Sequence, residues 1–139
     1  MFIGTSNHNL DSKGRVVLPS DFREELGESF YLTMGFKRCV QVMSVSEFER
    51  LREHIRQLPG DKALTMQYLL VSPAKLVSPN AQGRVMIPQN LREDVGLVGE
   101  VTVVGMDTRV EIWDKAEFTL FMEQQKQASM AEALELLRL

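Results

Sequence analysis

The sequence DSKGRVVLPSDFREELG at residues 11–27 determines the predicted fold, because it recurs 69 positions later as NAQGRVMIPQNLREDVG at residues 80–96. The two copies are identical at Gly, Arg, Val, Pro, Arg, Glu and Gly. With one inserted residue the similarity continues, so that Gly35 corresponds to Gly105. Self-similarity at a fixed period indicates a repeat architecture. We therefore predict two halves, at residues 1–70 and 71–139.

Each half predicts the order strand, turn, strand, short helix, hairpin, helix. A polar segment with Gly14 near its end is typical of a hairpin turn, with Asp11 and Arg15 on either side. The β-branched run at 16–18 predicts a strand, and Pro19 is suited to the first turn of a helix. The other predicted elements are a short helix at 19–27 and hairpins at 31–42 and 100–113. Longer helices are predicted at about 47–58, 61–70 and 115–126, and a C-terminal helix follows a capping box at Ser129.

This alternation predicts the α+β class. A separate half of about 70 residues would bury only about 60% of its unfolded surface and would be marginally stable. We therefore expect the two halves to share one core and to form a single domain with pseudo-twofold symmetry.

Composition limits the class of protein. The 139 residues carry 16 Lys and Arg against 19 Asp and Glu, which excludes a strongly basic nucleic-acid binder at the level of bulk charge. No segment approaches the roughly 18–20 apolar residues that cross a bilayer. No secretory signal is visible at the N-terminus, and the single cysteine, Cys39, agrees with a reducing compartment. We expect a cytoplasmic protein that does not bind membranes.

Residues suited to catalysis are few. His8, His54 and Cys39 are isolated, and no glycine-rich phosphate-binding motif is present. A buried strand position is the expected role of Cys39. We therefore predict no enzyme, no metal site and no cofactor.

Repeated cations are the candidate binding residues. Alone, Asp11 and Arg15 would be interpreted as a cross-turn ion pair of about 0.2–1 kcal/mol. Repetition favours binding, because equivalent arginines in a pseudo-twofold domain project from one face with the symmetry of duplex DNA. Arginine donates two hydrogen bonds to guanine or to phosphate. The predicted DNA-binding residues are Lys13, Arg15, Arg23, Lys37, Arg38, Arg84 and Arg92.

The chain resembles the MraZ family of bacterial transcriptional regulators over essentially its whole length. The resemblance is carried by MFIG at residues 1–4, NLDSKGRVVLP at 9–19, GRVMIP at 83–88, VG at 104–105 and EIWD at 111–114. It implies two tandem AbrB-like swapped-hairpin modules that form one β-barrel with flanking helices. It further implies a ring-shaped homo-oligomer, associated with the nucleoid, that binds repeated promoter boxes of the division and cell-wall gene cluster.

The family motif Asp-x-x-x-Arg matches Asp11 and Arg15, whereas the second copy has Asn80 before Arg84. If the acid mainly shapes the turn together with Gly14 or Gly83, Asn80 can replace it. If its charge orients the arginine, the second module should bind DNA more weakly.

Charge is distributed unevenly, since residues 1–70 have a net charge of 0 and residues 71–139 have −3. Few cations per chain predict weak binding unless an assembly presents them several times. Two alternatives remain: an oligomeric scaffold that does not bind DNA, and an AbrB-type antitoxin.

Overall fold

The computed structural model describes residues 1–128 and 130–138. The strands are β1 (Thr5–Asn9), β2 (Arg15–Val17), β3 (Phe30–Met34), β4 (Val40–Ser44), β5 (Lys75–Val77), β6 (Arg84–Met86), β7 (Glu100–Met106) and β8 (Arg109–Asp114). The helices are α1 (Ser20–Leu26), α2 (Val45–Arg56), α3 (Lys62–Met66), α4 (Gln89–Val95), α5 (Lys115–Ala128) and α6 (Met130–Leu137). A π-helical turn, Gln67–Val71, follows α3. This mixture confirms the α+β class.

The predicted helices are present, with shifted ends. α2 begins at Val45, two residues earlier than predicted, because the Ser44 hydroxyl accepts the Glu47 N–H at 3.2 Å and caps the helix there. The helix predicted at 61–70 is α-helical only to Met66 and then widens into the π-helical turn. The capping residue predicted at Ser129 lies outside the described residues.

The strands form two sheets. The larger has the order β1-β7-β8-β4-β3-β5, and the smaller consists of β2 and β6. The prediction that β1 and β2 pair across the 11–15 turn is wrong, because β1 pairs with β7 and β2 pairs with β6. The turn is closed locally, whereas β2 takes its partner from the other sequence copy. The pairings of the described residues give two separate sheets and do not close the expected barrel.

Both sheets are arranged symmetrically about paired residues that correspond in the two copies. Val16 pairs with Val85 at the centre of the small sheet. Gln41 pairs with Glu111 where β4 meets β8, at the centre of the large sheet. From its two edges, as β1-β7-β8 and as β5-β3-β4, the large sheet has corresponding strands in the same order.

The register corrects one predicted correspondence. Met34 pairs with Val40, whereas Gly105 pairs with Val110, so the loop of the second hairpin is one residue shorter. Met34, and not Gly35, is therefore the structural counterpart of Gly105.

The main core lies between the two sheets and is closed by α1 and α4. Apolar side chains from both copies are removed from water there, at about 25 cal/mol per Å² of buried apolar surface. Its members include Val16, Leu18, Phe22, Leu32, Val42, Val85, Ile87, Leu91, Val103 and Ile112.

A smaller cluster on the opposite face of the large sheet contains Cys39, Val104 and Trp113. Cys39 is fully buried, as expected, and lies one residue before β4. Burial raises the pKa of its thiol to about 12, so the reactive thiolate is not formed near neutral pH.

In the described part of the chain, none of the helices combines the length and the apolarity that crossing a membrane requires. The same residues contain no group of three or more His, Cys, Asp or Glu side chains arranged to hold a metal ion.

Candidate nucleic-acid interface

The first turn is built around Asp11. Its N–H donates to the Arg15 carbonyl at 2.9 Å, and its own carbonyl accepts the Gly14 N–H at 3.0 Å. The carboxylate Oδ1 atom accepts the N–H groups of Lys13 and Arg15, both at 2.9 Å. Gly14 has φ 77°, which glycine adopts without strain. These bonds within residues 11–15 reverse the chain, and the Gly14 carbonyl also accepts the Ile87 N–H of the other copy at 3.0 Å.

The second turn repeats this geometry with an amide in place of the carboxylate. Asn80 donates to the Arg84 carbonyl and accepts from Gly83, both at 2.9 Å. Its Oδ1 atom accepts the N–H groups of Gln82 at 3.0 Å and Arg84 at 2.9 Å. Gly83 also has φ 77°. Asn80 therefore replaces Asp11 fully as the acceptor for the turn backbone.

The two turns differ in how they hold their arginines. Arg15 Nε donates to Asp11 Oδ2 at 2.7 Å, and the Arg15 side chain is 31% exposed. The amide of Asn80 offers no second carboxylate oxygen. Among the described residues, no hydrogen bond or ion pair involves the guanidinium of Arg84, which is exposed. Arg15 is thus fixed on its turn, and Arg84 is not.

Hydrogen bonding to the charged form holds the pKa of Asp11 at about 2, below its ordinary value of 3.8. The backbone N–H of Arg15 is the largest cause, and the Arg15 side chain and the Lys13 N–H add to it. Asp11 is consequently a carboxylate at all physiological pH values, which keeps the ion pair with Arg15 intact.

The small sheet brings the two arginines to one surface. Val16 and Val85 point into the core, so the alternate residues of β2 and β6 point outward. Arg15 pairs with Met86, and Arg84 pairs with Val17, which makes the arginines diagonal neighbours. Diagonal positions on an antiparallel pair are about 7–8 Å apart. The structure therefore places two guanidinium groups on one face of a two-stranded ribbon.

Arg23 and Arg92 lie behind the turns and bind backbone. Arg23 Nε donates to the Leu18 carbonyl at 3.1 Å, and Arg92 Nε donates to the Ile87 carbonyl at 2.9 Å. Each guanidinium also packs on the turn glycine of the other copy. A Cβ atom at Gly14 would lie 2.4 Å from Arg92 Cζ, and one at Gly83 would lie 2.8 Å from Arg23 Cζ. These two arginines thus support the turns from behind.

The remaining predicted cations are distributed over other surfaces. Lys13 is exposed in the first turn, where its counterpart in the second turn is Gln82. Both turns nevertheless have a net charge of +1, because Asp11 offsets the additional lysine. Lys37 borders a groove beside α5, and the Arg38 guanidinium lies next to Gly96 at the end of α4. The contacts of Lys37 and Arg38 are therefore not with the two turns.

Sequence reasoning did not include the outward residues Val17 and Met86 in the site. It also did not anticipate that the carbonyls of Leu18 and Ile87 would hold Arg23 and Arg92. The available signal was the repeated spacing, because in both copies the arginine lies five residues after the residue whose carbonyl it binds. Nothing in the local sequence indicated that β2 and β6 pair with each other.

Comparison with known proteins identifies the family. A family model described as "MraZ protein, putative antitoxin-like" matches residues 1–67 and 70–138. A protein of Micrococcus luteus called "Transcriptional regulator MraZ" is 44% identical over 130 residues, which cover 92% of this chain and 91% of that protein. A protein with the same name from Acetivibrio thermocellus is 40% identical over 99% of both chains. Another, from Caldicellulosiruptor bescii, is 45% identical over 83% of this chain and 82% of that protein. The expected resemblance is thereby confirmed, and the chain belongs to the MraZ family.

Proposed function

We propose that this protein is a DNA-binding transcriptional regulator whose two turn arginines, Arg15 and Arg84, contact the bases of double-stranded DNA. The observation that carries the proposal is their placement on one outward face of a two-stranded ribbon, each directly after the same turn. Relatives at 40–45% identity bear the name of a transcriptional regulator, which supports the same conclusion.

The geometry fits a groove of DNA. A two-stranded ribbon enters the major groove, where an arginine donates two hydrogen bonds to the O6 and N7 atoms of guanine. Lys13 is exposed beside Arg15 and is suited to a phosphate contact. Arg23 and Arg92, which we predicted as contacts from the sequence, act in this proposal by holding the turns in position. Lys37 and Arg38 become peripheral phosphate contacts at most.

The two halves contribute unequally. We assign them to two tandem AbrB-like modules, residues 1–70 and 71–139. Because Asp11 fixes Arg15 before DNA is bound, little side-chain entropy is lost when Arg15 binds a base. Arg84 has no such partner among the described residues and must be ordered on binding. The first module is therefore the more specific one.

Assembly compensates for the small number of cations. The chain has a net charge of −3, and its ribbon face carries only a few positive groups. In a ring-shaped homo-oligomer the same face is presented several times, and binding two adjacent boxes raises avidity by about 10²–10⁴. This reasoning supports repeated boxes in the promoter of the division and cell-wall gene cluster as the target, in the cytoplasm and at the nucleoid.

The test is a DNase footprint of the purified protein on the region upstream of its own gene, followed by binding to duplexes with one and with three correctly spaced boxes. We expect protection of repeated boxes, tighter binding to three boxes than to one, and a steep loss of affinity as salt is raised. Absence of salt-dependent DNA binding would instead favour a scaffold role. Equal affinity for one and three boxes would contradict the proposed link between assembly and recognition.

A further inference from the structure

The outward face of the small sheet carries apolar side chains as well as arginines. Met86 in β6 and Val17 in β2 each stand two residues after the turn arginine of their own strand. Met86 is 44% exposed, and Val17 is half-buried. Antiparallel strands with one solvated face usually place polar residues on that face. Both copies depart from this alternation at the same position, and contacts of the arginines with guanine give these two side chains no role.

Each apolar side chain lies directly opposite an arginine of the other copy. Met86 pairs with Arg15, and Val17 pairs with Arg84. The Cβ atoms of directly opposed residues on one face of an antiparallel pair are about 4.5–5.5 Å apart. Each end of the ribbon therefore presents one arginine beside one apolar side chain, and each such pair takes its two members from different sequence copies.

The two pairs differ in the reach of the apolar member. Met86 has an unbranched, flexible thioether side chain that adapts to the surface it contacts, whereas Val17 is short and β-branched. Met86 is also the more exposed of the two. The Arg15–Met86 pair therefore combines the arginine that Asp11 fixes with the longer apolar side chain.

Arg15 retains the groups that a guanine requires. Its Nε atom is bound by Asp11, and among the residues that the structure describes its two terminal nitrogens make no hydrogen bond. Those nitrogens can donate to the O6 and N7 atoms of one guanine. Successive bases of a strand are about 3.4 Å apart, so a side chain displaced from Arg15 by about 4.5–5.5 Å faces a neighbouring base pair rather than the same guanine.

An apolar side chain in the major groove selects among bases. The apolar group that base edges present there is the 5-methyl group of thymine, and contact with it removes apolar surface from water. Cytosine at the same place would bring its N4 amino donor against Met86, and a polar group that loses water without gaining a partner costs free energy. A methionine donates no strong hydrogen bond, so it does not suit a phosphate. Met86 therefore favours thymine over cytosine.

We propose that Met86 is a specificity-determining residue that packs on the 5-methyl group of a thymine, in the base pair directly next to the guanine that Arg15 binds. Val17 makes the equivalent, smaller contact beside Arg84. Because it requires the ribbon to lie in the major groove, this contact rests on the proposed function, which it deepens by naming a second base. Recognition of one base step thus depends on both halves of the chain.

The test uses the duplex with the footprinted boxes, in which each thymine is replaced in turn by uracil, which lacks only the 5-methyl group. A second series replaces each guanine by 7-deazaguanine, which lacks the N7 acceptor. The guanine whose replacement weakens binding by the wild type but not by Arg15→Ala is the one that Arg15 binds. Fluorescence anisotropy gives the affinity of the wild type, Met86→Ala and Met106→Ala for each duplex. Met106→Ala is the matched control, because Met106 is a strand methionine with 42% exposure in β7 of the large sheet.

We expect uracil at one thymine beside that guanine to weaken binding by the wild type and by Met106→Ala about fourfold, which corresponds to the ~0.8 kcal/mol of one buried methyl group. Met86→Ala, with its fold verified by circular dichroism, should bind the thymine and uracil duplexes equally. Wild-type box binding that tolerates uracil at every thymine beside that guanine would overturn the proposal without any variant, and so would a uracil penalty that persists in folded Met86→Ala. Both results would leave the arginine contacts in place, whereas absence of box binding by the wild type would refute the proposed function and the thymine contact together.

Discussion

The carboxylate of Asp11 binds Arg15 twice, through Oδ1 to its backbone N–H at 2.9 Å and through Oδ2 to its side-chain Nε at 2.7 Å. Asn80 reproduces the first bond to Arg84 at 2.9 Å and has no oxygen for the second. The residue at this position therefore has two separable roles, which are to shape the turn and to fix the arginine. A single substitution at either position should therefore give one turn the arginine geometry of the other.

Asp11→Asn should leave the turn folded and release the Arg15 side chain. We expect the preference for a box over a scrambled duplex to fall, while affinity for the scrambled duplex stays constant or rises because a negative charge is removed. Asn80→Asp should have the opposite effect by fixing Arg84. Fluorescence anisotropy with both duplexes measures the ratio of the affinity for a box to the affinity for the scrambled duplex. A lower ratio for Asn80→Asp would show that fixing the arginine does not aid specificity.

Acidification should weaken the first turn selectively. The pKa of Asp11 in the folded protein, about 2, is below its ordinary value of 3.8, so the unfolded chain takes up the proton first. The stabilisation is complete above about pH 4 to 5 and is lost as the pH falls towards 2. Urea unfolding at pH 5.5, 3.5 and 2.5 should show the wild type losing more free energy of unfolding than Asp11→Asn. Parallel losses in both proteins would refute this role of the carboxylate.

Gly14→Ala should destabilise the fold by about 1–3 kcal/mol. The new methyl group would occupy a left-handed backbone position and would also displace the Arg92 guanidinium, 2.4 Å away, from its contact with the turn. Gly60→Ala is the matched control, because Gly60 has φ 61° and no atom within 4 Å of the added Cβ. Urea unfolding should therefore show a larger loss for Gly14→Ala. Equal losses would mean that backbone strain alone explains the effect.

Local features of the fold were predictable from the sequence. The Gly14 and Gly83 turns, the helices that follow Pro19 and Pro88, and the burial of Cys39 depend on neighbouring residues or on residue type, and the structure has all of them. The departure at Asn80 was also visible. Its consequence, a shaped turn without a fixed arginine, followed once hydrogen-bond partners were known.

Long-range pairing was not predictable. The sequence places β2 beside β1 along the chain, but Val16 is buried only by pairing with Val85 of the other copy. The same swap brings Arg23 against Gly83 and Arg92 against Gly14, which changes their expected role from surface cations to supports. The one-residue difference between the hairpin loops likewise appeared only in the strand register. These features depend on contacts between distant segments that a local pattern does not encode.

Parallel binding measurements on Arg15→Ala and Arg84→Ala decide whether the two turn arginines contact the bases of the boxes. Titration of a duplex containing the footprinted boxes should show specific binding reduced by about 1–3 kcal/mol for each lost arginine–base contact, and more for Arg15→Ala than for Arg84→Ala. Circular dichroism and the mass of the assembly should be unchanged, because both side chains lie on the outward face of the ribbon. Wild-type affinity for the boxes in both variants would show that neither arginine contributes to DNA recognition.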